Sequence, residues 1–560
     1  MVTGRALRRW LPSLVLVPAA GMLQLAGGSG QQGAIRFENA TEASGVAFVL
    51  QQHATPDKHM VETMAGGVAV FDYDDDGRPD IFFTNGASLP SLQKETPADW
   101  NRLFRNEGGF RFSDVTEKAG VQGLGYTTGA AVGDYDNDGR EDLFVAGVQR
   151  NQLLRNAGNG TFADVTAAAG IGNYVWSVAA GWLDYDNDGW LDLFVVNYVD
   201  WTPQTNKFCG DRTRNLQVYC HPKHYRGLAN ALYRNRHDGT FEDVSGKSRI
   251  GASIGKGMSV AFADYDGDGF TDIFVTNDAV DNVLFHNRGD GTFEEVALLA
   301  GVAVPAHGRP VSGMGTDFRD YDNDGWPDIV LTALTGETFP LFKNEKGKFF
   351  RDVTYASGLG SATVRMSGWA AALVDLDNDG WKDLVTANSH ANDRIEEFEA
   401  TSYRQTNAVF RNTGTRLEDV SAVAGPDFQV ARANRGIGVG DFDGDGRLDL
   451  VTTVLGDRAQ VLRNVSPGNR GWITLKLAGR ASNRDGIGAR VRLGAQFDQM
   501  TTAAGYASAS NFGVHFGLGD VTKVPRIEIT WPSGVTQVME DVAVNQVITV
   551  TEPKSGPGSR

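Results

Sequence analysis

Residues 72–80 read Asp-Tyr-Asp-Asp-Asp-Gly-Arg-Pro-Asp, and the rest of the fold is read outward from this stretch. The pattern D-x-D-x-D-G-x-x-D returns at 134–142, 184–192, 264–272, 320–328, 375–383 and 441–449 with no substitution at its conserved positions. Its carboxylates are Asp72, Asp74, Asp76 and Asp80; Asp134, Asp136, Asp138 and Asp142; Asp184, Asp186, Asp188 and Asp192; and Asp264, Asp266, Asp268 and Asp272. The last three loops carry Asp320, Asp322, Asp324 and Asp328; Asp375, Asp377, Asp379 and Asp383; and Asp441, Asp443, Asp445 and Asp449. Calcium takes six to eight oxygen ligands, and aspartates at alternate positions of a tight loop converge on one point. The glycine permits the sharp turn, the next carbonyl adds an oxygen, and the last aspartate adds another directly or through water. Without a cation, four carboxylates in nine residues repel one another. The pattern therefore predicts up to seven structural calcium ions. It is not an EF-hand, which needs Glu at position 12; here that position holds Phe83, Val145, Val195, Val275, Leu331, Thr386 and Thr452.

Short apolar, β-branched runs flank each loop, for example 67–71 before it and 81–83 after it. They read as two strands joined at the acidic tip. A second hairpin follows, Leu-Phe-Arg-Asn at 103–106 and Phe-Ser-Asp-Val-Thr at 112–116, with counterparts from 153, 232, 284, 341 and 409. Four strands per repeat, seven times, predict an all-β fold, a seven-bladed β-propeller over 35–466. The seventh repeat has its third strand at 461–464 but lacks the fourth. The missing piece stands at the amino end, Phe37-Glu-Asn-Ala-Thr41, so the first strand is expected to complete the last blade and close the ring. Gly- and Ala-rich strands such as 128–132 suit an innermost position beside a narrow channel. From 468 to 553 the acidic loop stops and alternating runs such as 472–477, 526–530 and 547–551 predict a small β-sandwich. In it, Asn483, Arg484 and Asp485 read as a structural turn network in preference to a binding patch.

The acidic loops resemble the FG-GAP or VCBS repeats of integrin α-subunit propellers. The whole chain from about residue 35 to 553 resembles the cartilage acidic protein 1 family with its carboxy-terminal ASPIC/UnbV domain. The segments 482–490, 516–519 and 531–534 carry that second likeness. The resemblance implies a secreted, calcium-binding protein and names no chemistry.

The remaining composition is consistent with this. Gly supplies 69 of 560 residues, as a turn-rich chain requires. The net charge of −17 disfavours a nucleic-acid partner, and seven divalent cations would offset most of it. Residues 1–30 have the basic start, apolar centre and small-residue end of a signal peptide. The reading is an exported protein, periplasmic, cell-surface or secreted, with no transmembrane segment after cleavage and a disordered tail at 554–560.

Function is expected on the face opposite the acidic loops. The insertions 86–100, 198–228 and 388–405 fall there, as do 53–64 and 302–313. Cys209 and Cys220 predict a disulfide, while Cys220, His221 and His224 also form a C-H-x-x-H cluster suited to a transition metal. The candidate ligand face comprises His53, His59, Trp201, His221, His224, His307, Arg309, His390 and Arg435, with Trp201 and Tyr225 as exposed contacts. The preferred reading is a binding or adhesion scaffold for an extracytoplasmic protein or glycan. The alternative is a calcium-stabilised polysaccharide lyase or hydrolase using the His/Arg-rich residues of that face.

Overall fold

The computed structural model describes residues 35–172 and 175–554, together with Met1. The expected signal segment and the tail beyond 554 lie outside the described residues. The chain is all-β. Seven sheets built alike follow one another, each with four antiparallel strands from the repeat. The first holds Val68–Phe71, Asp80–Phe83, Arg102–Gly108 and Arg111–Asp114; the last holds Asn434–Gly440, Asp449–Val454, Gln460–Asn464 and Phe37–Asn39. Phe37 pairs with Asn464 and Asn39 with Leu462, so the amino-terminal strand completes the seventh sheet as the repeat count requires.

Burial explains the strand composition. Second strands such as Asp142–Gly147 and Asp192–Asn197 are buried along their whole length, because neighbouring sheets cover both faces. They are correspondingly continuous apolar runs. Outer strands such as Phe162–Asp164 bury only their first residue and leave the next two in solvent.

One asparagine per repeat ties the sheets together. Asn156 Nδ2 donates to the Tyr73 carbonyl of the preceding acidic loop at 2.8 Å. Asn235, Asn287, Asn344, Asn412 and Asn464 do the same to Tyr135, Tyr185, Tyr265, Tyr321 and Leu376. Asn106 completes the circuit on Phe442 of the last sheet. The invariant Asn of L-x-x-N, which reads locally as a turn residue, is thus a latch between neighbouring sheets. Asn156→Ala leaves the Tyr73 carbonyl buried without its donor, and a loss of about 1–3 kcal/mol in a urea titration is expected.

The carboxy-terminal segment lies in the same compact unit as the ring. A three-stranded sheet around Gly471–Ala478 and a four-stranded sheet around Arg490–Leu493 and Lys523–Thr530 share one apolar core, which includes Ile473, Phe516, Ile529 and Trp531. Between them one hairpin, Ala503–Ala504 and Ser508–Ser510, leaves this core and joins the first propeller sheet. Ala69 pairs with Ala509 and Val70 with Ser510, in parallel. The same hairpin bonds the first strands of other sheets: Gly505 exchanges N–H···O bonds with Thr316, the Ala507 carbonyl accepts from Ala130 N, and Ser510 Oγ accepts from Val439 N. The small inner-strand residues therefore flank an inserted hairpin. Its backbone passes so close that a Cβ on Gly67 would stand 2.4 Å from the Ala507 carbonyl.

Candidate functional site

The acidic loops are built the same way seven times. In the first, Asp72 accepts N–H bonds from Asp76 and Gly77, the latter at φ 89°, where a side chain would be strained. Asp80 accepts from Tyr73 N and from Asn106 N on the third strand at 2.7 Å, locking loop to sheet. The final aspartates of the other six loops make the equivalent pair of bonds. Burial pushes Asp80 up to about 8 and holds Asp142, Asp192, Asp328 and Asp449 well above the usual carboxylate range.

These groups suit a hard cation. Ligand oxygens of Asp72, Asp74 and Asp80 lie within 4.8 Å of one another, as do those of Asp134, Asp136 and Asp142 and those of Asp184, Asp186 and Asp192. The Oδ1 atoms of Asp74, Asp136, Asp186, Asp322 and Asp443 are buried and make no hydrogen bond. An unsatisfied buried carboxylate oxygen is costly, and a cation at the loop centre removes that cost. Several of the acidic clusters can therefore hold metal ions.

The structure also supplies a cation that sequence reasoning missed. The residue before the latch asparagine is Arg105, Arg155, Arg234, His286, Lys343, Arg411 or Arg463, and each reaches the acidic loop of its own sheet. Arg105 Nε meets Asp74 at 2.6 Å and its Nη2 meets Asp76 at 2.8 Å. The signal was present as a basic or imidazole side chain at that position in all seven repeats.

The carboxy-terminal sheets cover this acidic-loop face. Asp485 accepts from Asp134 N at 2.7 Å, Arg484 N donates to Asn137, and Arg490 pairs with Asp264 at 2.5 Å. Asn483 is buried and bonded to Ile487, so the 483–485 segment is a structural turn network at this contact.

The repeats and the carboxy-terminal strands together decide the family. FG-GAP-like repeats match residues 72–145, 134–195, 223–275, 264–331, 320–386 and 375–452. The chain belongs to the FG-GAP-like repeat family. The ASPIC and UnbV family matches 479–557. Cartilage acidic protein 1 of Homo sapiens is 31% identical over 56% of this chain and 46% of its own length. Integrin alpha-4 of Xenopus laevis is 27% identical over 25% of this chain and 15% of its own length. The chain thus spans about half the length of the cartilage acidic protein 1 relatives it matches. Among solved structures, YCF48 bound to D1 peptide aligns over 78% of this chain and 98% of its own, at 9% identity and TM-score 0.41.

In this FG-GAP protein the opposite face carries a cavity of about 360 Å³, open to solvent. Loops of five repeats contribute to it, with Trp369 on a strand. Its wall includes Tyr198, Tyr219, Trp369, Asp278, Glu337, Asn392, His221 and His390. Tyr506, at the tip of the inserted hairpin, underlies it: its hydroxyl donates to the Met64 carbonyl and its ring meets Trp369 edge-on at 5.0 Å. Arg435 lies buried beside it, 4.0 Å over the Trp369 ring, with Nε on the Thr63 carbonyl and Nη1 on the Asn434 carbonyl. Tyr198 and Asp278 directly follow the asparagines that end second strands, Asn197 and Asn277, which is the pattern that could have located them.

Of the expected ligand-face residues, only His221 and His390 line this cavity. Trp201 and Tyr225 are not exposed contacts; they are 2% and 7% exposed. Trp201 packs against Trp176, because the 198–228 insertion folds its aromatics back onto the ring. His53 is tied to Asp99 at 2.7 Å, and His59 is buried against Thr55 and Glu62. His224, His307 and Arg309 are exposed and stand outside the cavity wall. The structure joins Cys209 to Cys220, which removes the Cys220 sulfur from any metal cluster with His221 and His224. Cys220 itself lines the cavity, so the disulfide fixes one wall.

Burial pushes His390 down to about 4, and His515, buried between Thr474 and Asn378, down to about 4 as well. Both are neutral when folded, whereas in the unfolded chain they protonate near 6.5. Their contribution is fully present above 6.5 and is lost as pH falls toward 4, at roughly 1.4 kcal/mol per pH unit for each. Between pH 7 and pH 4.5 the change in urea midpoint of His515→Gln is expected to lie above that of the native protein, the difference growing as pH falls.

Proposed function

We propose that this protein is an exported binding scaffold, stiffened by calcium in its acidic loops. Its ligand, an extracytoplasmic protein or glycan, would enter the cavity on the face opposite those loops. The observation that carries this reading is the cavity wall. Half-buried Tyr219 supplies an aromatic face beside the half-buried polar groups of Glu337 and Asn392, over a buried floor of Tyr198, Trp369 and Asp278. An aromatic face with a few convergent polar groups is the composition of a recognition site, and loops anchored on the sheets and by the Cys209–Cys220 disulfide present it. The carboxylate clusters and the FG-GAP repeats support calcium. The disulfide supports an oxidising, exported location. Among the described residues no helix is long and apolar enough to cross a membrane.

Glycan and extracellular-protein arrays probed with the calcium-loaded full chain test the reading. A ligand bound by the native protein and weakened about tenfold or more by Asn392→Ala, at unchanged melting temperature, supports it. Binding unaffected by Asn392→Ala and Glu337→Gln sinks the cavity as the site. Release of shortened or unsaturated glycan products in the same assay would replace the scaffold by the lyase or hydrolase reading.

A further inference from the structure

We propose that the fourth acidic loop is a transition-metal site, with Asp266, Asp272 and His286 as its protein ligands. This rests on the reading that the loops hold divalent cations, and it assigns one of them a different ion. In the other six sheets the third-strand residue beside the loop is Arg or Lys. Those side chains are lasting cations with no lone pair to offer a metal. His286 stands there in the fourth sheet, and an imidazole nitrogen is a metal ligand.

The donors already converge. One ligand atom from each of Asp266, Asp272 and His286 lies within 4.8 Å of the other two. His286 Nδ1 is 3.2 Å from Asp272 Oδ1 and 3.5 Å from Asp266 Oδ2. A second contact moves the loop away from a pure oxygen set. Arg490 of the carboxy-terminal sheets sits on Asp264 Oδ2 at 2.5 Å, so the first carboxylate of the loop is already neutralised. What remains is three carboxylates, Asp266, Asp268 and Asp272, and one imidazole, with Asp266 and His286 each 23% exposed and open to water. Calcium takes six to eight oxygens and gains little from nitrogen, whereas one imidazole with carboxylates and water suits zinc and its neighbours. His237 also meets an acidic loop, at Asp188, but Arg234 shares that carboxylate and His237 is 40% exposed.

The test is a Zn²⁺ titration of the full chain in saturating calcium, read by calorimetry, with Co²⁺ absorption as a second probe. The expected result is one zinc equivalent per chain that excess calcium does not displace, and a visible cobalt band. His286→Arg, which installs the residue used by most other sheets, should weaken zinc about a hundredfold or more and abolish the band. The calcium stoichiometry should not fall and the melting temperature should stay unchanged; His286→Gln serves if the Arg variant folds poorly. Native protein that takes no zinc, or zinc competed off by calcium, overturns the proposal. So does an equivalent that survives in His286→Arg, or one that disappears instead in His221→Ala or His237→Ala. The calcium count itself is a separate readout: a protein that binds no calcium defeats the calcium reading of the loops without deciding the zinc site.

Discussion

Stripping divalent cations is expected to lower the unfolding free energy by about 10 kcal/mol. On the proposed loading, with each loop's free cation at ten times its Kd, each site contributes ~1.4 kcal/mol by mass action, and seven independent sites sum to roughly 10. At ~2.1 cal/mol/K per residue over about 520 residues, that corresponds to a fall of about 9 °C in melting temperature. The source of the effect is local. Loop oxygens such as Asp74 Oδ1 and Asp136 Oδ1 are buried without a hydrogen bond, and Asp142 and Asp192 are held well above the usual carboxylate range by burial. The chelated protein should nonetheless keep its fold. Arg105, Arg155, Arg234, Lys343, Arg411 and Arg463 already neutralise part of six of the seven clusters, and the asparagine latches do not involve a metal. Scanning calorimetry with and without chelator checks this. A single cooperative transition at lower temperature is expected, restored by calcium. Superimposed traces would show that the arginines alone satisfy the loops.

Tyr506→Ala is the second large effect, at about 3–5 kcal/mol, the usual cost of emptying a large aromatic site in a core. Tyr506 is fully buried at the tip of a hairpin whose neighbours are Ala503, Gly505, Ala507 and Ala509, so little nearby can relax into the space. Its hydroxyl bond to the Met64 carbonyl predicts a smaller loss, about 1 kcal/mol, for Tyr506→Phe. Because Met64 and Trp369 line the cavity, both substitutions should also loosen any ligand bound there. The carboxy-terminal sheets and the ring should melt together in the native protein and separately in Tyr506→Ala. A denaturation curve for Tyr506→Ala that overlays the native one would mean the hairpin merely fills the channel.

Much of this was legible in the residues. The seven acidic loops, the strands on either side of them and the return of Phe37–Asn39 to the last sheet follow from local chemistry: alternate carboxylates, an obligatory glycine, apolar runs and one missing strand. The face carrying the cavity was also legible, since hairpin connections alternate between two sides. The cavity wall was not. Histidines at 53, 59 and 307 looked like candidates because polar residues in long loops usually face solvent or ligand, yet Asp99 holds His53 and Glu62 holds His59. Trp201 looked like an exposed anchor and is core.

The sequence by itself determined the elements whose cause lies within a few residues: the loops, the strands, their order and the strand that closes the ring. Only the tertiary structure decided what fills the centre. Residues 501–510 read Thr-Thr-Ala-Ala-Gly-Tyr-Ala-Ser-Ala-Ser, with no apolar alternation to mark a buried strand. They are buried because the gap between first strands admits only a narrow backbone, and its open N–H and C=O groups need partners more than 180 residues away at Thr316 and more than 300 away at Ala130. The same holds for Arg105 on Asp74 and Arg490 on Asp264. A side chain's periodicity reports its own strand, whereas its partner is set by how the sheets close.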